Sequence, residues 1–600
     1  MTRVMTTIVL LAAALAGPAA PASGDPAGRT TLDETIWLAT GNGLRLPAPG
    51  PGARHVVRSA GPVPAAERGA TPRRSLAFFA QLTDAQLADE MSPARLEFRR
   101  PAGVFEGVWR PHEALGPQTF DQAVRNVNAN ALSRVADSTG RRARLQFAVV
   151  TGDLSDNHQH NEIAWGVRLL EGGRLDPFSG ARIGARNRCP GAPRRAVRRL
   201  NAAVHARRYT GVQDRHDWPA RSGSAHRAFY DPDTPRGAYS ALPRYPGLLR
   251  RAQQPFHAEG LAVPWYATRG NHDALAQGFF SGRPGARIAT GCRKVIAPAG
   301  PRGGDPWEAM QRRLAAGRFE WVPPDPGRRF VTPRGFKRLH RQGDRGHGFG
   351  LVGRAERRAS RGAASYYAWS PRPGLRFVAI DTVGEGGGSD GNLGHPQYLW
   401  LRRQLARSGR GGELVIVYGH HSLETMRNPR PDELAGACRP TRLACDADPR
   451  HSTPLHLGTG GAGSVRSLLL RHPNVVLFVT GHVHRNRATP HFKRGGRSGF
   501  WQLTTASHMS FPQQTRLIEL MDNGNGTLSI FGTVLDTAAP VAAPPSGTPA
   551  SRMSGAQLAS VSRLLAANVR GARAKTAARQ AARRAHPAGN VELVLPDPRG

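Results

Sequence analysis

Six short apolar runs, each followed by a polar turn, recur along the chain at residues 76–80, 145–150, 261–266, 375–380, 414–418 and 475–479. Apolar residues follow one another in these runs with little polar alternation, which is typical of strands buried on both faces of a sheet. Helical patterns lie between several of the runs, at 118–135 and 397–405. The alternation of buried strands with helices predicts an α/β fold.

Two long stretches interrupt this pattern, at about 170–255 and 281–365, where Arg, Gly and Pro are frequent and periodicity is weak. Loops of this length in a compact enzyme are typically lids, walls of a binding site or disordered segments. The chain also carries a Pro/Ala-rich stretch at 537–555 and a basic helical pattern after it.

The pattern therefore predicts four segments after the first residues of the chain. They are an N-terminal segment at 23–70, a catalytic domain at 71–536 that contains both insertions, a linker at 537–555, and a basic helix with a short strand or tail at 556–600. Such a helix either contacts an acidic surface or packs one face on its own domain.

The first residues have the features of a secretory signal peptide. Arg3 precedes a mostly apolar run at 4–16, and the small residues Ala20-Pro21-Ala22 follow. The apolar run is too short to span a bilayer. We therefore predict a signal peptide at 1–22 and a secreted or otherwise extracytoplasmic mature protein, such as one in the cell envelope.

The four cysteines of the chain suit an oxidising compartment. Cys438 and Cys445 enclose a short polar loop that a disulfide can close, and Cys189 and Cys292 could form a second bridge. A zinc site is the alternative, but the chain has no C-x-x-C pair and the spacings do not suit one. Disulfides are the favoured interpretation.

The charge balance is strongly basic, because 83 Lys and Arg face 43 Asp and Glu to give a net charge of +40. Nearly all the basic residues are arginines, which together with frequent Ala, Gly and Pro is typical of a GC-rich genome. The alternative is attraction to anions such as phosphate esters, nucleic acid or an acidic envelope. No nucleic-acid-binding motif accompanies the arginines, so specific nucleic-acid recognition is not expected.

The residues that directly follow the apolar runs carry the chemistry. They are Asp84 and Gln86, Asp153, Asn271 with His272 and Asp273, His420 with His421, and His482 with His484. Ligands of open α/β sheets bind at the carboxyl ends of the strands, so these loops can converge on one site. Carboxylate, carboxamide and imidazole groups together suit Mn, Fe or Zn better than Ca or Cu(I).

In this order the residues resemble the calcineurin-like metallophosphoesterases, whose blocks are D-x-H, G-D-x-x-D/N, G-N-H-D/E, H and G-H-x-H. Four of the five blocks match, and the similarity spans roughly residues 75–535. A narrower resemblance, to secreted bacterial members with long insertions between the blocks, rests on residues 156–162, 209–214 and 505–514.

The resemblance implies a four-layer α/β/β/α sandwich and a phosphoesterase that uses two divalent ions, of Mn, Fe or Zn. It implies hydrolysis of phosphate mono- or diesters by attack of a metal-bound hydroxide on phosphorus. One ion would be bound by Asp84, Gln86 and His484, the other by Asn271, His420 and His482, and Asp153 would bridge them. The family pattern favours His420 over His421, although the sequence alone leaves both open.

The resemblance also implies roles for the next two residues. His272 would protonate the leaving alkoxide or hold a phosphoryl oxygen, and Asp273 would orient the His272 ring. Three further residues are candidates for substrate binding, namely Asn157, His508 and Arg516. A guanidinium suits bidentate contact with phosphoryl oxygens, but Asn157 could equally be part of a helix start and Arg516 an exposed loop residue.

One position departs from the family pattern, because Gln86 stands where D-x-H has histidine. A carboxamide oxygen can bind a hard ion but binds Zn or Fe less well than imidazole. The first metal position would then be weak, selective for Mn or Mg, or empty until substrate arrives; alternatively, Gln86 only forms hydrogen bonds. This departure supports the rival hypothesis of a non-catalytic anion-binding envelope protein with a degenerate metal site.

Overall fold

The structure is a computed structural model of a mixed α/β protein. It describes residues 28–41, 43–59, 72–102, 106–213, 229–281, 283–296, 305–341, 344–430, 454–496, 498–569 and 589–599. The predicted signal peptide, the predicted Cys438–Cys445 pair and Asp214 lie outside these residues. Within the described ranges, no helix is both long and apolar enough to cross a membrane.

The strands, in chain order, are β1 (Glu34–Gly41), β2 (Leu44–Pro51), β3 (Val56–Ser59), β4 (Arg74–Leu82), β5 (Leu132–Ala136), β6 (Arg142–Arg144), β7 (Phe147–Thr151), β8 (Gly173–Leu175), β9 (Phe256–Ala258), β10 (Trp265–Thr268), β11 (Arg293–Val295), β12 (Phe319–Trp321), β13 (Tyr367–Arg372), β14 (Leu375–Ala379), β15 (Leu414–Tyr418), β16 (Val475–Thr480), β17 (Arg487–Phe492), β18 (Gly499–Thr504), β19 (Gln514–Asp522), β20 (Thr527–Asp536) and β21 (Val591–Pro596).

The α-helices are α1 (Gly116–Ala129), α2 (His160–Glu171), α3 (Arg194–His205), α4 (Leu248–Ala252), α5 (Arg283–Ala289), α6 (Pro306–Ala315), α7 (Pro333–Leu339), α8 (Arg354–Ala359), α9 (His395–Arg410), α10 (Val465–Leu470) and α11 (Gly555–Ala567). Helices α1 and α11 pack on each other, and α1 also contacts β19 and β20. Helix α9 lies against β14 and β15, and α10 against β17 and β18.

Two large mixed sheets form the centre of the fold. The first has the strand order β10-β7-β4-β19-β20-β21-β3, and the second has the order β13-β14-β15-β16-β18-β17. Strands β10, β7 and β4 run parallel to one another, as do β14, β15, β16 and β18. Parallel strands bring their carboxyl ends to one edge of a sheet, which is where the candidate site forms.

Aromatic side chains join the two sheets in one hydrophobic core. The ring of Phe79 on β4 lies 5.2 Å from that of Phe377 on β14, and Phe147 on β7 lies 5.1 Å from the same ring. Trp501 on β18 donates a hydrogen bond of 3.2 Å to the carbonyl of Val594 on β21. Full burial of one such side chain contributes roughly 1.5–3 kcal/mol to the stability of the fold. This aromatic layer therefore holds the two sheets against each other.

All six predicted strands are present, with one shifted towards the C-terminus. The run at 261–266 becomes a strand only from Trp265 to Thr268, because Pro264 has no N–H to donate to a ladder. The predicted helix at 118–135 ends at Ala129, and residues 132–136 form β5 instead. There Asn130 closes the helix, since its side-chain amide donates to the Asn126 carbonyl at 2.8 Å.

The two insertions contain short helices and hairpins, and a disulfide joins them. Cys189 precedes α3 in the first insertion and bonds to Cys292 in the second, which confirms this predicted pair. A buried ion pair fixes the second insertion to the sheet region, since Arg328 Nε lies 2.9 Å from Asp89 Oδ2. The insertions are thereby attached to each other and to the loops that follow β4.

Segments from both ends of the chain complete the first sheet. Strand β3 belongs to the N-terminal segment and β21 to the C-terminal tail, and the two pair in parallel at the sheet edge. The sheet therefore extends beyond the limits 71–536. The Pro/Ala-rich stretch at 537–555 packs on the first insertion, where the Tyr245 hydroxyl donates to the Pro544 carbonyl at 2.8 Å.

Candidate metal centre

The loops after five strands bring seven metal-ligating side chains together. They are Asp84 and Gln86 after β4, Asp153 after β7, Asn271 after β10, His420 after β15, and His482 and His484 after β16. The backbone there is unusual, because the non-glycine residues Asp84, Gln86, Asp153, His482 and His484 all have φ between 42° and 69°. Such residues cost on the order of 1 kcal/mol or more each and cluster at functional sites.

Backbone hydrogen bonds and motif glycines hold the loops in place. Asp84 N–H donates to the Gly152 carbonyl at 3.0 Å, and Gln86 N–H donates to the Asp153 carbonyl at 2.8 Å. A Cβ at Gly270 would lie 2.1 Å from Asp153 Oδ1, and one at Gly481 would lie 2.5 Å from Asp84 Oδ2. Only glycine therefore allows the loops to approach the two carboxylates this closely.

One group of donors consists of Asn271, His420 and His482, which we call the Asn271 group. Asn271 Oδ1 lies 3.0 Å from His420 Nε2 and 3.1 Å from His482 Nδ1, and the two ring nitrogens are 3.3 Å apart. The remote atoms are fixed, since Asn271 Nδ2 donates to the Gly278 carbonyl at 2.8 Å and His420 Nδ1 donates to the Thr151 carbonyl at 2.7 Å. The three inward-facing atoms are thereby held within 3.3 Å of one another.

The other group consists of Asp84, Gln86 and His484, which we call the Gln86 group. His484 Nε2 lies 3.2 Å from Asp84 Oδ1 and 3.2 Å from Gln86 Nε2. His484 Nδ1 is 2.9 Å from the hydroxyl of Ser510, and Asp84 Oδ2 accepts a bond from the Thr83 hydroxyl at 2.6 Å. The three side chains thus converge on one point from two sheets.

Asp153 lies between the two groups. Its Oδ2 is 3.3 Å from Gln86 Nε2 and 3.2 Å from His420 Nε2. Its Oδ1 accepts a bond of 2.7 Å from the backbone N–H of His272. The carboxylate therefore contacts a member of each group and is fixed by the backbone on its other side.

The electrostatics differ between the histidines. Burial opposes the charged form of His420, but the carboxylates of Asp153 and Asp84 outweigh it and raise the pKa of His420 to about 9. Burial and the neighbouring His421 and His420 rings lower the pKa of His482, and burial lowers that of His484. Although burial works against it, the facing imidazoles hold the pKa of Asp153 far below its usual range. This charge pattern favours a cation between the carboxylates.

The donor set fits divalent metal ions. Once the His420 ring loses the proton that its raised pKa favours, Nε2, Asn271 Oδ1 and Asp153 Oδ2 are three acceptor atoms that face one another. Among the described residues, no group donates to the buried Oε1 of Gln86. Acceptors that converge without donors are stabilised by a proton or a cation, and Asp, Asn and His are ligands of borderline divalent ions.

Side-chain contacts distinguish His420 from His421. His421 Nδ1 is 2.7 Å from the Thr382 hydroxyl, and its Nε2 is 2.9 Å from the Ser389 carbonyl. Both nitrogens of His421 are therefore occupied, although the ring lies close enough to His420 and His482 to be grouped with them as a potential ligand. His420 presents Nε2 to the cluster and uses only Nδ1 for support.

His272 lies beside Asp153, but its ring is held by Asp156 and not by Asp273. His272 Nδ1 is 2.7 Å from the main-chain oxygen of Asp156 and 3.4 Å from Asp156 Oδ1. Asp273 instead accepts bonds from the backbone N–H groups of Asp153, Gly270 and Ser155 at 2.8–3.0 Å. The expected role of Asp273 in orienting the ring is thus corrected, because its carboxylate is fully used beneath the loops.

The ring of His272 is positively charged at neutral pH in this arrangement. Burial alone would lower its pKa, but the charges of Asp153 and Asp156 raise it to about 9. A proton is therefore available next to the cluster.

The three residues predicted to bind substrate are all buried. Asn157 Oδ1 accepts a bond of 2.9 Å from the N–H of Gln277, which supports the loop that carries Asn271. His508 packs edge-on against Phe120 at 5.0 Å. Both positions support the walls of the site.

Arg516 lies in the first sheet and not in an exposed loop. Its Nε donates to the Thr505 hydroxyl at 3.2 Å, Nη1 to the Gly589 carbonyl at 2.9 Å, and Nη2 to Asn486 Oδ1 at 2.8 Å. Burial lowers the pKa of Arg516 to about 9. The guanidinium therefore ties β19 to the loops of the second sheet.

Sequence reasoning missed the charged residues behind His272. Arg95, Glu97 and Glu113 are fully buried. Arg95 forms an ion pair with each of the two glutamates and a third ion pair with Asp156. Nothing in the local sequence distinguishes these residues from surface charges, since the contacts join positions up to 61 residues apart.

Together these features define a mixed α/β protein with a candidate metal centre at the carboxyl ends of its parallel strands. No protein-family model matches the chain, and no curated protein matches it. Among solved structures, the chain is similar to a dimetal phosphatase from Danio rerio, with 13% identity over 77% of this chain and 100% of the other and a TM-score of 0.30. At that level the likeness carries no argument, and the interpretation rests on the geometry of the site.

Proposed function

We propose that this chain is a metal-dependent phosphoesterase that is exported from the cytoplasm and hydrolyses phosphate mono- or diesters. The observation that carries the proposal is the convergence of the Asn271 group and the Gln86 group on Asp153, with polar side-chain atoms 3.0–3.3 Å apart. The resemblance of the ordered sequence blocks supports the same class, and with it a four-layer α/β/β/α arrangement of the two sheets and their helices.

Each group would hold one divalent ion of Mn, Fe or Zn, and Asp153 would contact both ions. When bound, such a pair lowers the pKa of a shared water and neutralises charge on the attacking and leaving oxygens of a phosphoester. His420 is the favoured ligand over His421 because only its Nε2 faces the cluster without a fixed partner in the protein backbone.

His272 would supply the proton for the leaving oxygen. Asp156 holds Nδ1 through its main-chain oxygen, which leaves Nε2 as the nitrogen to approach the substrate. In the metal-free protein, the charges of Asp153 and Asp156 raise the pKa of this ring to about 9, which is the direction that a general acid requires. Gly278, with φ of 69°, allows the ring to lie against the loop, because a Cβ there would be 2.4 Å from Nε2.

The shared position of Asp153 explains why it would be the most important residue of the site. Its Oδ2 contacts both groups, and its Oδ1 is held by the N–H of His272. The same backbone contact sets the distance between the proposed acid and the proposed metal ligands, so the parts of the site are mutually fixed.

The test is hydrolysis of bis-p-nitrophenyl phosphate and of p-nitrophenyl phosphate by the purified mature protein with added Mn²⁺. Asp153→Asn and chelation are the controls, and circular dichroism verifies that each sample is folded. Turnover that both controls abolish supports the proposal, and the ratio of the two rates separates diesterase from monoesterase activity. Absence of turnover with Mn²⁺, Fe²⁺ or Zn²⁺ in a folded protein would instead favour the anion-binding alternative.

A further inference from the structure

A fully buried cluster of ionic side chains lies directly behind His272. At its centre is Arg95, whose side chain has no exposed surface. Its Nη1 donates to Asp156 Oδ2 at 2.6 Å, its Nε to Glu97 Oε1 at 2.8 Å, and its Nη2 to Glu113 Oε2 at 2.5 Å. One guanidinium thus holds three carboxylates that are all removed from solvent.

The cluster is anchored from several parts of the chain. Lys294, next to the disulfide of the second insertion, places Nζ 2.7 Å from Glu97 Oε2. Arg110, which is partly exposed, lies 3.4 Å from the second oxygen of Glu113. The position of Arg95 is therefore determined by the segment that follows β4, by the loop after β7 and, through Glu97, by the second insertion, and a small movement of any one carboxylate is resisted by the others.

Such a cluster is a poor source of stability. Removing charges from water costs several kcal/mol per ion, and apolar residues of the same volume are often equally or more stabilising. The cluster is explained better by what it fixes than by what it stabilises. Among its three carboxylates, that of Asp156 also reaches the candidate site, since Oδ1 lies 3.4 Å from His272 Nδ1.

We propose that Arg95 is a positioning residue for His272, acting through Asp156. The guanidinium fixes Oδ2, so that Oδ1 and the main-chain oxygen of Asp156 remain against Nδ1 of the ring. Without that bond the Asp156 side chain can turn about its χ angles, and the ring loses one of the two oxygens that set its plane. This inference rests on the proposed function, in which His272 protonates the leaving oxygen.

The chain offers a matched control in Arg328. Its side chain is also fully buried, and it pairs with a buried carboxylate, that of Asp89, at 2.9 Å. Its Nη2 donates to the Ser179 hydroxyl at 2.9 Å. Its hydrogen bonds within the described residues go to Asp89, Ser179 and the Pro323 carbonyl, and none goes to Asp156 or His272. Arg95→Met and Arg328→Met therefore both remove a buried guanidinium, but only the first acts on the ring.

The experiment measures kcat and KM of both variants on aryl and alkyl phosphodiesters whose leaving groups differ in acidity, with Mn²⁺ present. Arg95→Met is expected to lower kcat about 10- to 100-fold for alkyl leaving groups, which need a proton, and less than about threefold for nitrophenolate. KM should change little. Arg328→Met should lower kcat for all substrates by one common factor. Arg95→Lys should recover part of the kcat that Arg95→Met loses on alkyl substrates.

A double variant separates position from general damage. If Arg95 acts through His272, Arg95→Met should have no further effect on alkyl substrates in a His272→Ala background. Additive losses, or a loss that is equal for all leaving groups, would overturn the inference. If Arg95→Met does not fold, Arg95→Lys carries the same test, because an ammonium cannot bridge three carboxylates in the guanidinium geometry.

A crystal structure of Arg95→Met provides a readout that does not depend on activity. The inference expects the Asp156 carboxylate and the His272 ring to turn away from their present contact, while the ring is unmoved in Arg328→Met. An unmoved His272 in Arg95→Met would contradict it. If the wild-type protein shows no turnover at all, the proposed function fails, and this structural comparison alone decides the role of Arg95.

Discussion

The Asn271 group and the Gln86 group face the same aspartate but are prepared for metal to different degrees. In the Asn271 group, the remote atoms are bound to backbone carbonyls, as with His420 Nδ1 on Thr151 and Asn271 Nδ2 on Gly278. The positions of the inward atoms are therefore fixed before any ion arrives, and only the proton that the raised pKa of His420 favours has to leave. Ligands held in this way lose little entropy when they bind.

The Gln86 group is arranged differently. The Gln86 amide turns Nε2 towards Asp153 Oδ2 and His484 Nε2, and among the described residues its Oε1 has no hydrogen-bond partner. To bind an ion, the amide must turn its oxygen inward and lose both contacts. A carboxamide at position 86, in place of an imidazole, therefore makes the Gln86 group adjustable, whereas the Asn271 group is rigid.

The largest expected effect comes from Asp153→Asn, because this residue is common to both groups. We expect kcat/KM for p-nitrophenyl phosphodiesters to fall by about a thousandfold or more and both groups to lose metal. Metal content by mass spectrometry and steady-state rates measure this. A variant that retains two ions and near-normal turnover would show that the two groups do not share Asp153.

Removal of one ligand from each group tests their inequality. His420→Ala should lower kcat/KM about 100-fold, since the Asn271 group is preorganised, whereas Gln86→Ala should lower it about tenfold or less. Both are compared at saturating and at limiting Mn²⁺. Equal losses would mean that the Gln86 group binds as firmly as the Asn271 group.

The two groups should also differ in pH dependence in the metal-free protein. A His420 pKa of about 9, above the unfolded value near 6.5, gives stability that is fully present below pH 6.5 and is lost as pH rises to 9. The His484 pKa is lowered, so this residue gives no such contribution.

We expect the free energy of unfolding to fall by roughly 2 kcal/mol per such histidine between pH 6.5 and 9 in chelator. His272, whose pKa is also raised to about 9, adds a contribution of the same sign. Urea unfolding at several pH values measures how the free energy of unfolding changes with pH. This change should be smaller in His420→Ala than in the wild-type protein and unaltered in His484→Ala. A profile that is flat in the wild-type protein would contradict this.

Placing a histidine at position 86, as the D-x-H pattern has, should reduce the difference between the groups. Gln86→His places an imidazole beside Asp84 and His484, and we expect the weaker metal to bind about tenfold more tightly. Competition with a fluorescent chelator measures the change. Gln86→Glu, which adds charge without imidazole, is the matched variant and should shift preference towards Mg²⁺ and Mn²⁺ and not towards Zn²⁺.

Much of the fold could be predicted from the sequence because buried parallel strands consist of continuous runs of apolar residues. The runs at 375–380 and 414–418 correspond to β14 and β15 almost residue for residue. The limits of the first sheet could not be predicted, since β3 and β21 are short. Strand β21 pairs with β20 and with β3, and the pairing with β3 joins segments from the two ends of the chain.

The candidate ligands could be named because each stands directly after a strand, and the sheet brings such positions together. The partner of His272 could not, because Asp156 and Asp273 both lie near it in sequence or in space and only packing decides between them. The burial of Arg516 was also beyond prediction. Its place on β19 opposite Gln81 follows from register, which no local pattern specifies.

The most direct test of this account is a crystal structure of the protein grown with Mn²⁺, with anomalous scattering recorded to locate the metal. We predict two anomalous peaks, one on each side of Asp153. One lies within the Asn271 group, and a weaker one lies within the Gln86 group and strengthens in Gln86→His. A cluster without any peak in well-ordered crystals, or two peaks that are equal and unaffected by Gln86→His, would contradict it.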